Sequence, residues 1–219
     1  KDEPEILKGF DAKYKSRLKF LKDYQNTKYA QKYGDLVSYA KKIDKNVGNG
    51  SQFSTAVLKN YFKLMAYKDE YEVSRLMTNK KFVDDINKNF EGNFDYNFYL
   101  APPIFSKKSK VDGKLIKIKF GGWLFNVFKL LSKFKFLRGT KFDPFGYLDE
   151  RKKERELIID YKQTIFDIGS KINKSNYETA VKIASIPDQI RGFGHVKEKN
   201  IKEAINNRTD LLNSFHENS

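Results

Sequence analysis

The chain has 219 residues, about one large domain or one domain plus an arm, and no cysteine, which excludes disulfides, thiolate catalysis, zinc ribbons and cysteine-ligated iron–sulfur clusters within it. Aromatic residues make up 15% of the chain, too much apolar surface for a disordered segment, and no apolar run reaches transmembrane length. Forty-three Lys and Arg against 28 Asp and Glu give a formal charge of +15, which has two readings: an anion-binding surface, or a genome composition that favours lysine.

Residues 4–22 read as a first helix, with Leu7, Phe10, Tyr14, Leu18 and Leu21 on one face. A second helix follows over about 25–45, striped by Tyr29, Tyr33, Leu36, Val37, Ala40 and Ile43. The breaker cluster Val47-Gly48-Asn49-Gly50-Ser51 is the best boundary, so residues 1–45 are expected as a helical hairpin or arm and 46–219 as the main domain. Helices then read over 52–66, through Val73 and Leu76, and over about 79–90.

The period changes at Phe94, Tyr96, Phe98 and Leu100, which alternate with polar neighbours as a strand does. Lys114–Phe120 alternates as well, and Asp112-Gly113 between them is a turn signal, so a small β-hairpin is expected near 94–120. Further helices read over 123–137, over 148–171 with Leu157, Tyr161, Ile165 and Ile168 inward, from a Ser175 cap to about 186, and over 197–215. The charge run Asp149–Glu156 is expected on the solvent face of its helix. The fold class is α+β, mainly helical and bundle-like, with one small hairpin or sheet.

Most catalytic signatures are missing: there is no phosphate loop, no dinucleotide glycine motif, no His-Glu-x-x-His and no Gly-x-Ser-x-Gly. Residues 107–141 hold ten Lys and one Arg against the single acid Asp112. Lys107, Lys108 and Lys110 are candidates there for an anion or an acidic partner. Phe120, Trp123, Phe125, Phe128 and Phe134 lie among these cations; at helical spacing they read as core in preference to base-stacking platforms. A second cluster is Arg191, His195 and Lys197 around Gly192-Phe193-Gly194, whose glycines suit positive φ or a close ligand. A third is Arg138-Gly139-Thr140 with Asp143, a turn or cap residue with which Arg138 can pair.

As a set, several phrases resemble the C-terminal domain of the fused indolepyruvate ferredoxin oxidoreductases. They are Tyr24-Gln25-Asn26 with Tyr29 and Tyr33; Lys63-Leu64-Met65-Ala66-Tyr67-Lys68-Asp69-Glu70-Tyr71-Glu72-Val73 with Arg75-Leu76; Leu100-Ala101-Pro102-Pro103; and Phe120-Gly121-Gly122-Trp123. Leu137-Arg138-Gly139-Thr140, Asp143-Pro144-Phe145-Gly146-Tyr147, Glu150-Arg151, Glu154-Arg155 and Ile190–Lys197 complete the series over nearly the whole chain. Gly122 stands where that family is expected to carry Pro, and Lys152 where it is expected to carry Arg.

The resemblance implies a parent enzyme that oxidatively decarboxylates arylpyruvates to acyl-CoA with thiamine diphosphate, Mg2+, 4Fe–4S clusters and CoA. It would pass electrons to ferredoxin. Those groups would sit in other domains, so this segment would bind none of them, carry no catalytic residue and dock on its neighbours in a cytoplasmic homodimer. The alternative is direct handling of CoA, oxoacid or ferredoxin by the basic face; a nucleic-acid module is remote, and no membrane association is expected. The opening Lys1-Asp2-Glu3-Pro4, without initiator Met or signal sequence, fits the excised end of something longer.

Overall fold

The computed structural model describes residues 9–90, 95, 97–100 and 116–217. It divides the chain into two compact units: unit 1, Lys1–Tyr67 with Gly146–Ser219, and unit 2, Lys68–Phe145. The chain is mainly helical with one small antiparallel sheet, the expected α+β class.

In unit 1, α1 (Phe10–Tyr24), α2 (Thr27–Val47), α3 (Gln52–Met65), α7 (Asp149–Gly169), α8 (Tyr177–Ser185) and α9 (Gly194–Glu217) surround one core. Helix α3 is the hub, packed against α1, α2, α7 and α8, and it buries Phe53, Val57, Leu58, Tyr61 and Met65. A helix that is apolar on more than one side belongs inside a bundle. The glycine cluster expected as a domain boundary is instead a helix–helix turn inside unit 1. Gly48 takes a left-handed φ of 71° and returns its N–H to the Asp44 carbonyl, ending α2 so that α3 can fold back on it. The division between units falls at 67/68 and 145/146.

Tyrosines hold this core together. Tyr14, Tyr33, Tyr61 and Tyr161, one from each of α1, α2, α3 and α7, stack with centroids 6.2, 6.1 and 5.8 Å apart. Tyr33 donates to the Leu58 carbonyl at 2.9 Å and Tyr161 to that of Ala184 at 2.8 Å. Tyr24 and Tyr29 donate to the carbonyls of Tyr67 and Met65, at and beyond the end of α3, where helix geometry leaves acceptors open. Burial pushes Tyr61 up to about 12 and Tyr33 and Tyr161 higher still. Asp44 is buried and accepts from the Ser54 N–H at 2.8 Å and the Tyr177 hydroxyl at 2.6 Å, tying α2 to the start of α3 and to α8.

Gly169, near the end of α7, lies where a Cβ would come within 2.7–2.8 Å of Tyr39 Oη and Ile43 Cδ1. A side chain at 169 would have to push both of these side-chain tips aside, so glycine eases the packing of α7 on α2. The expected Ser175 cap is corrected: Tyr177 opens α8 and Asn176 precedes it, while Asn173 accepts from the N–H groups of Ser175 and Asn176. A short amide side chain makes that turn better than a hydroxyl does.

Unit 2 holds α4 (Glu70–Met77), α5 (Lys80–Asn89), β1 (Phe98–Leu100), β2 (Ile118–Phe120) and α6 (Leu124–Lys133), which runs into a 3-10 turn at Phe134–Leu137. The two strands pair antiparallel with Phe98 opposite Phe120 and Leu100 opposite Ile118, and of the expected hairpin Phe94, Tyr96 and residues 101–115 lie outside the described residues. The first-helix positions before Gly9, the Asp112-Gly113 turn signal and Lys107, Lys108 and Lys110 lie outside the described residues. The core of unit 2 is small: Tyr71, Leu124 and Phe128 are its buried large apolar side chains among the described residues, and α5 buries none.

Candidate functional site

Asp69 precedes α4 and caps it, its Oδ1 accepting from the Glu72 N–H at 2.9 Å. Arg138, 69 residues further on, closes a fork on the same carboxylate: Nε reaches Oδ2, and Nη2 reaches Oδ1 at 2.8 Å. Both side chains are almost fully buried, and the guanidinium lies 5.6 Å from the centre of the Tyr71 ring. Tyr71 donates to Asp143 Oδ1 at 3.1 Å. Asp143 also accepts from the N–H groups of Gly139 at 2.8 Å and Phe145 at 3.2 Å, which fixes the loop. Gly139 supplies the left-handed φ of 74° that turns the chain. Burial pushes the Tyr71 hydroxyl up, and the neighbouring Asp143 charge and hydrogen bond add to it. Arg138, an anion-binding candidate in the sequence and a candidate partner of Asp143, closes instead on Asp69, where an added ligand would have to displace a buried carboxylate.

The charge run Asp149–Glu156 is corrected in part. Arg151 and Glu154 are buried, paired with each other, and Lys197 of α9 reaches the same Glu154, with Glu150 at 3.8 Å. Lys197 of a second helix reaches the start of α7 here, so two of the charges of α7 turn inward and are neutralised there. Lys152 and Lys153 stay on the outer face with Asp149 and Glu156.

Arg191, His195 and Lys197 do not converge on a common ligand position. Lys197 is committed to Glu154. Arg191 donates to the Asp188 carbonyl at 2.9 Å, and its own carbonyl accepts from Asn200. His195 is exposed, in the first turn of α9, which begins three residues earlier than expected. The glycine expectation holds: Gly192 and Gly194 have φ of 89° and 55°, and Phe193 between them is 81% exposed. Nearby, burial pulls Lys63 down, and its ammonium donates to the Pro187 carbonyl.

The third region is a surface. Residues 116–142 carry six Lys and one Arg and no acid. Of the aromatics expected as core, Phe128 is buried, against Phe98 of β1 at 5.3 Å, whereas Trp123 is 61% exposed and Phe134 also faces solvent. Val127, Leu130, Phe136 and Phe142 are exposed as well. The spacing gives the helix correctly, but it does not show which of its apolar sides is left exposed. Among the described residues no group of three or more His, Cys, Asp or Glu is placed to hold a metal ion, and no helix is long and apolar enough to cross a membrane.

A family model described as a family of unknown function, DUF6537, matches residues 10–210. The chain belongs to the DUF6537 family. The DUF6537 match begins at the first residue of α1 and ends within α9, so it takes in both units and all three clusters. No curated protein and no solved structure matches the chain.

Proposed function

We propose that this chain is an accessory domain of an indolepyruvate-type 2-oxoacid:ferredoxin oxidoreductase, and that it docks on the catalytic domains through unit 2. The observation that carries the docking is the uncovered apolar surface of unit 2: it is the shorter unit, yet it holds most of the exposed large apolar side chains among the described residues. The phrases behind the resemblance support a scaffolding role. Asp69 with Arg138, Tyr71 with Asp143, and Arg151 with Glu154 and Lys197 pair within each unit and hold it together. Thiamine diphosphate, Mg2+, the 4Fe–4S clusters and CoA belong to the partner domains in this reading, as do the homodimer contacts and the ferredoxin contact.

Reconstitution tests it. The catalytic portion and this chain, expressed separately and mixed, are expected to co-elute on size exclusion, with CoA-dependent ferredoxin reduction by indolepyruvate restored on mixing. Separate elution with full turnover by the catalytic portion alone overturns the reading.

The acid-free cationic stretch 116–142 favours one second reading, direct anion handling. Under it, Lys129→Glu with Lys133→Glu raises KM for CoA or oxoacid while the two pieces still co-elute.

A further inference from the structure

Helix α6 carries two apolar stripes. Leu124, Phe128 and Leu131 form the first; it faces inward, with α4 and Phe98 against it. Trp123, Val127 and Leu130, continued by Phe134 in the 3-10 turn, form the second at spacings of four, three and four residues. At 3.6 residues per turn the two stripes together span an arc of about 160°, wider than one neighbouring element covers. The inner half is buried and the outer half is open: Trp123 is 61% exposed and Leu130 58%.

The open stripe is about one helix ridge wide and four side chains long, the pattern a partner helix fills with an a/d-like ridge. Lys133 stands along its outer edge and is exposed, whereas Lys129 lies on the far side of the helix, 4.7 Å over the Phe125 ring. Charge selects among occupants. A second copy of this face would bring one acid-free cationic surface against another, which like charge disfavours. An anionic lipid surface would match the charge, but a helix lying in a membrane presents its whole apolar arc, and here half of that arc is already committed to α4.

We propose that the outer stripe of α6 binds an amphipathic protein helix whose apolar ridge is edged by carboxylates. This rests on the reading that unit 2 is the docking unit, and it names the chemistry of what docks. Apolar side chains of the partner would cover Trp123, Val127, Leu130 and Phe134, and its Glu or Asp would meet Lys133.

Trp123 is the single tryptophan of the chain and sits on the stripe, so its emission reports coverage directly. The probe is a stapled helical peptide with a leucine ridge edged by Glu, titrated into the 219-residue chain at low and moderate salt. A twin peptide edged by Lys and vesicles of phosphatidylcholine with phosphatidylserine serve as comparisons. The expected result is a saturable blue shift with the Glu peptide, weakened by salt, and little shift with the Lys peptide or the vesicles. Lys133→Glu should weaken the Glu peptide several-fold and improve the Lys peptide, while Lys129→Glu, on the far side of the helix, should change neither. Leu130→Asp should weaken both without changing helical circular dichroism.

No shift with the Glu peptide, equal shifts with both peptides, or a shift with vesicles alone would overturn the assignment. A flat titration beside co-elution of the reconstituted pieces removes the acidic helix and leaves docking standing. A bound peptide beside separate elution removes the docking reading instead.

Discussion

In unit 1, Tyr24, Tyr33, Tyr161 and Tyr177 are all buried, and each hydroxyl donates to a carbonyl or carboxylate of another element. In unit 2, Tyr71 is the buried tyrosine among the described residues, while Trp123, Phe134, Phe136 and Phe142 face solvent. Unit 2 holds 16 of the 33 aromatic residues in 78 positions and unit 1 holds 17 in 141, so the unit richer in aromatics covers fewer of them among the described residues. Unit 1 wraps several helices round α3. In unit 2, among the described residues, α4 packs against α6, while α5 carries Phe82, Val83, Ile86 and Phe90 along one side and buries none of them. A many-helix bundle can place polar ties deep inside. The described part of unit 2 has a small core closed by an ion pair and leaves apolar surface for a partner.

The largest expected effect is in unit 2. Arg138→Ala strands the buried Asp69 carboxylate and should cost about 3–5 kcal/mol. The loss should appear in urea unfolding followed by Trp123 emission, with the helical signal of unit 1 melting later. Simultaneous loss of both signals in the variant would show that the units are not separable. Arg138→Lys should recover part of it, since one ammonium replaces a two-pronged fork.

In unit 1, Asp44→Ala leaves the Ser54 N–H and the Tyr177 hydroxyl without their shared acceptor, at about 1–3 kcal/mol for each buried donor. Gly169→Ala forces a methyl group against Tyr39 and Ile43 and should cost about 1–3 kcal/mol. Both are read as midpoints of chemical unfolding by far-UV circular dichroism. If Gly169→Ala were neutral, the close approach of α7 to α2 would be wrong.

The buried tyrosines set an alkaline limit. Burial raises Tyr61 from 10.0 to about 12, and Tyr33 and Tyr161 move in the same direction. Below about pH 10 these hydroxyls hold their protons in both states, and stability is unaffected. Above it the unfolded chain releases protons that the folded chain retains, so stability falls as pH climbs through about 12. The phenolate signal of the buried rings should therefore rise together with loss of helix, and Tyr61→Phe should make the decline shallower. A phenolate signal from Tyr61, isolated as wild type minus Tyr61→Phe, that rises while the helix persists would place this ring in water.

The smallest effect is at the open face. Leu130→Asp and Lys133→Glu should each change the melting of the isolated chain by less than about 0.5 kcal/mol, because neither side chain is buried. A large loss there would mean that the stripe is already covered.

The helices were legible because their stripes repeat locally: Tyr33, Leu36, Val37 and Ala40 in α2, and Leu157, Tyr161, Ile165 and Ile168 in α7, are buried as their spacing requires. The site was less so. Asp69 and Arg138 are ordinary charges in sequence, and no local pattern joins residues 69 positions apart. Arg151 and Glu154 look like a solvated face because the run around them alternates in sign; only the approach of α9 with Lys197 turns them inward. Trp123 and Phe134 read as core since periodicity reports which side of a helix is apolar, not whether a second layer exists to cover it. The tyrosine hydroxyls gave no signal at all, because their acceptors are backbone carbonyls or the carboxylates of Asp44 and Asp143, far away in sequence.

The most direct test of the account is amide hydrogen exchange of the isolated chain against the reconstituted enzyme. Slow exchange in α2, α3 and α7 in both samples, with α5 and α6 fast in the isolated chain and slowed on reconstitution, is the expected result. Exchange in α5 and α6 that is the same in both would contradict the claim that unit 2 is the docking unit.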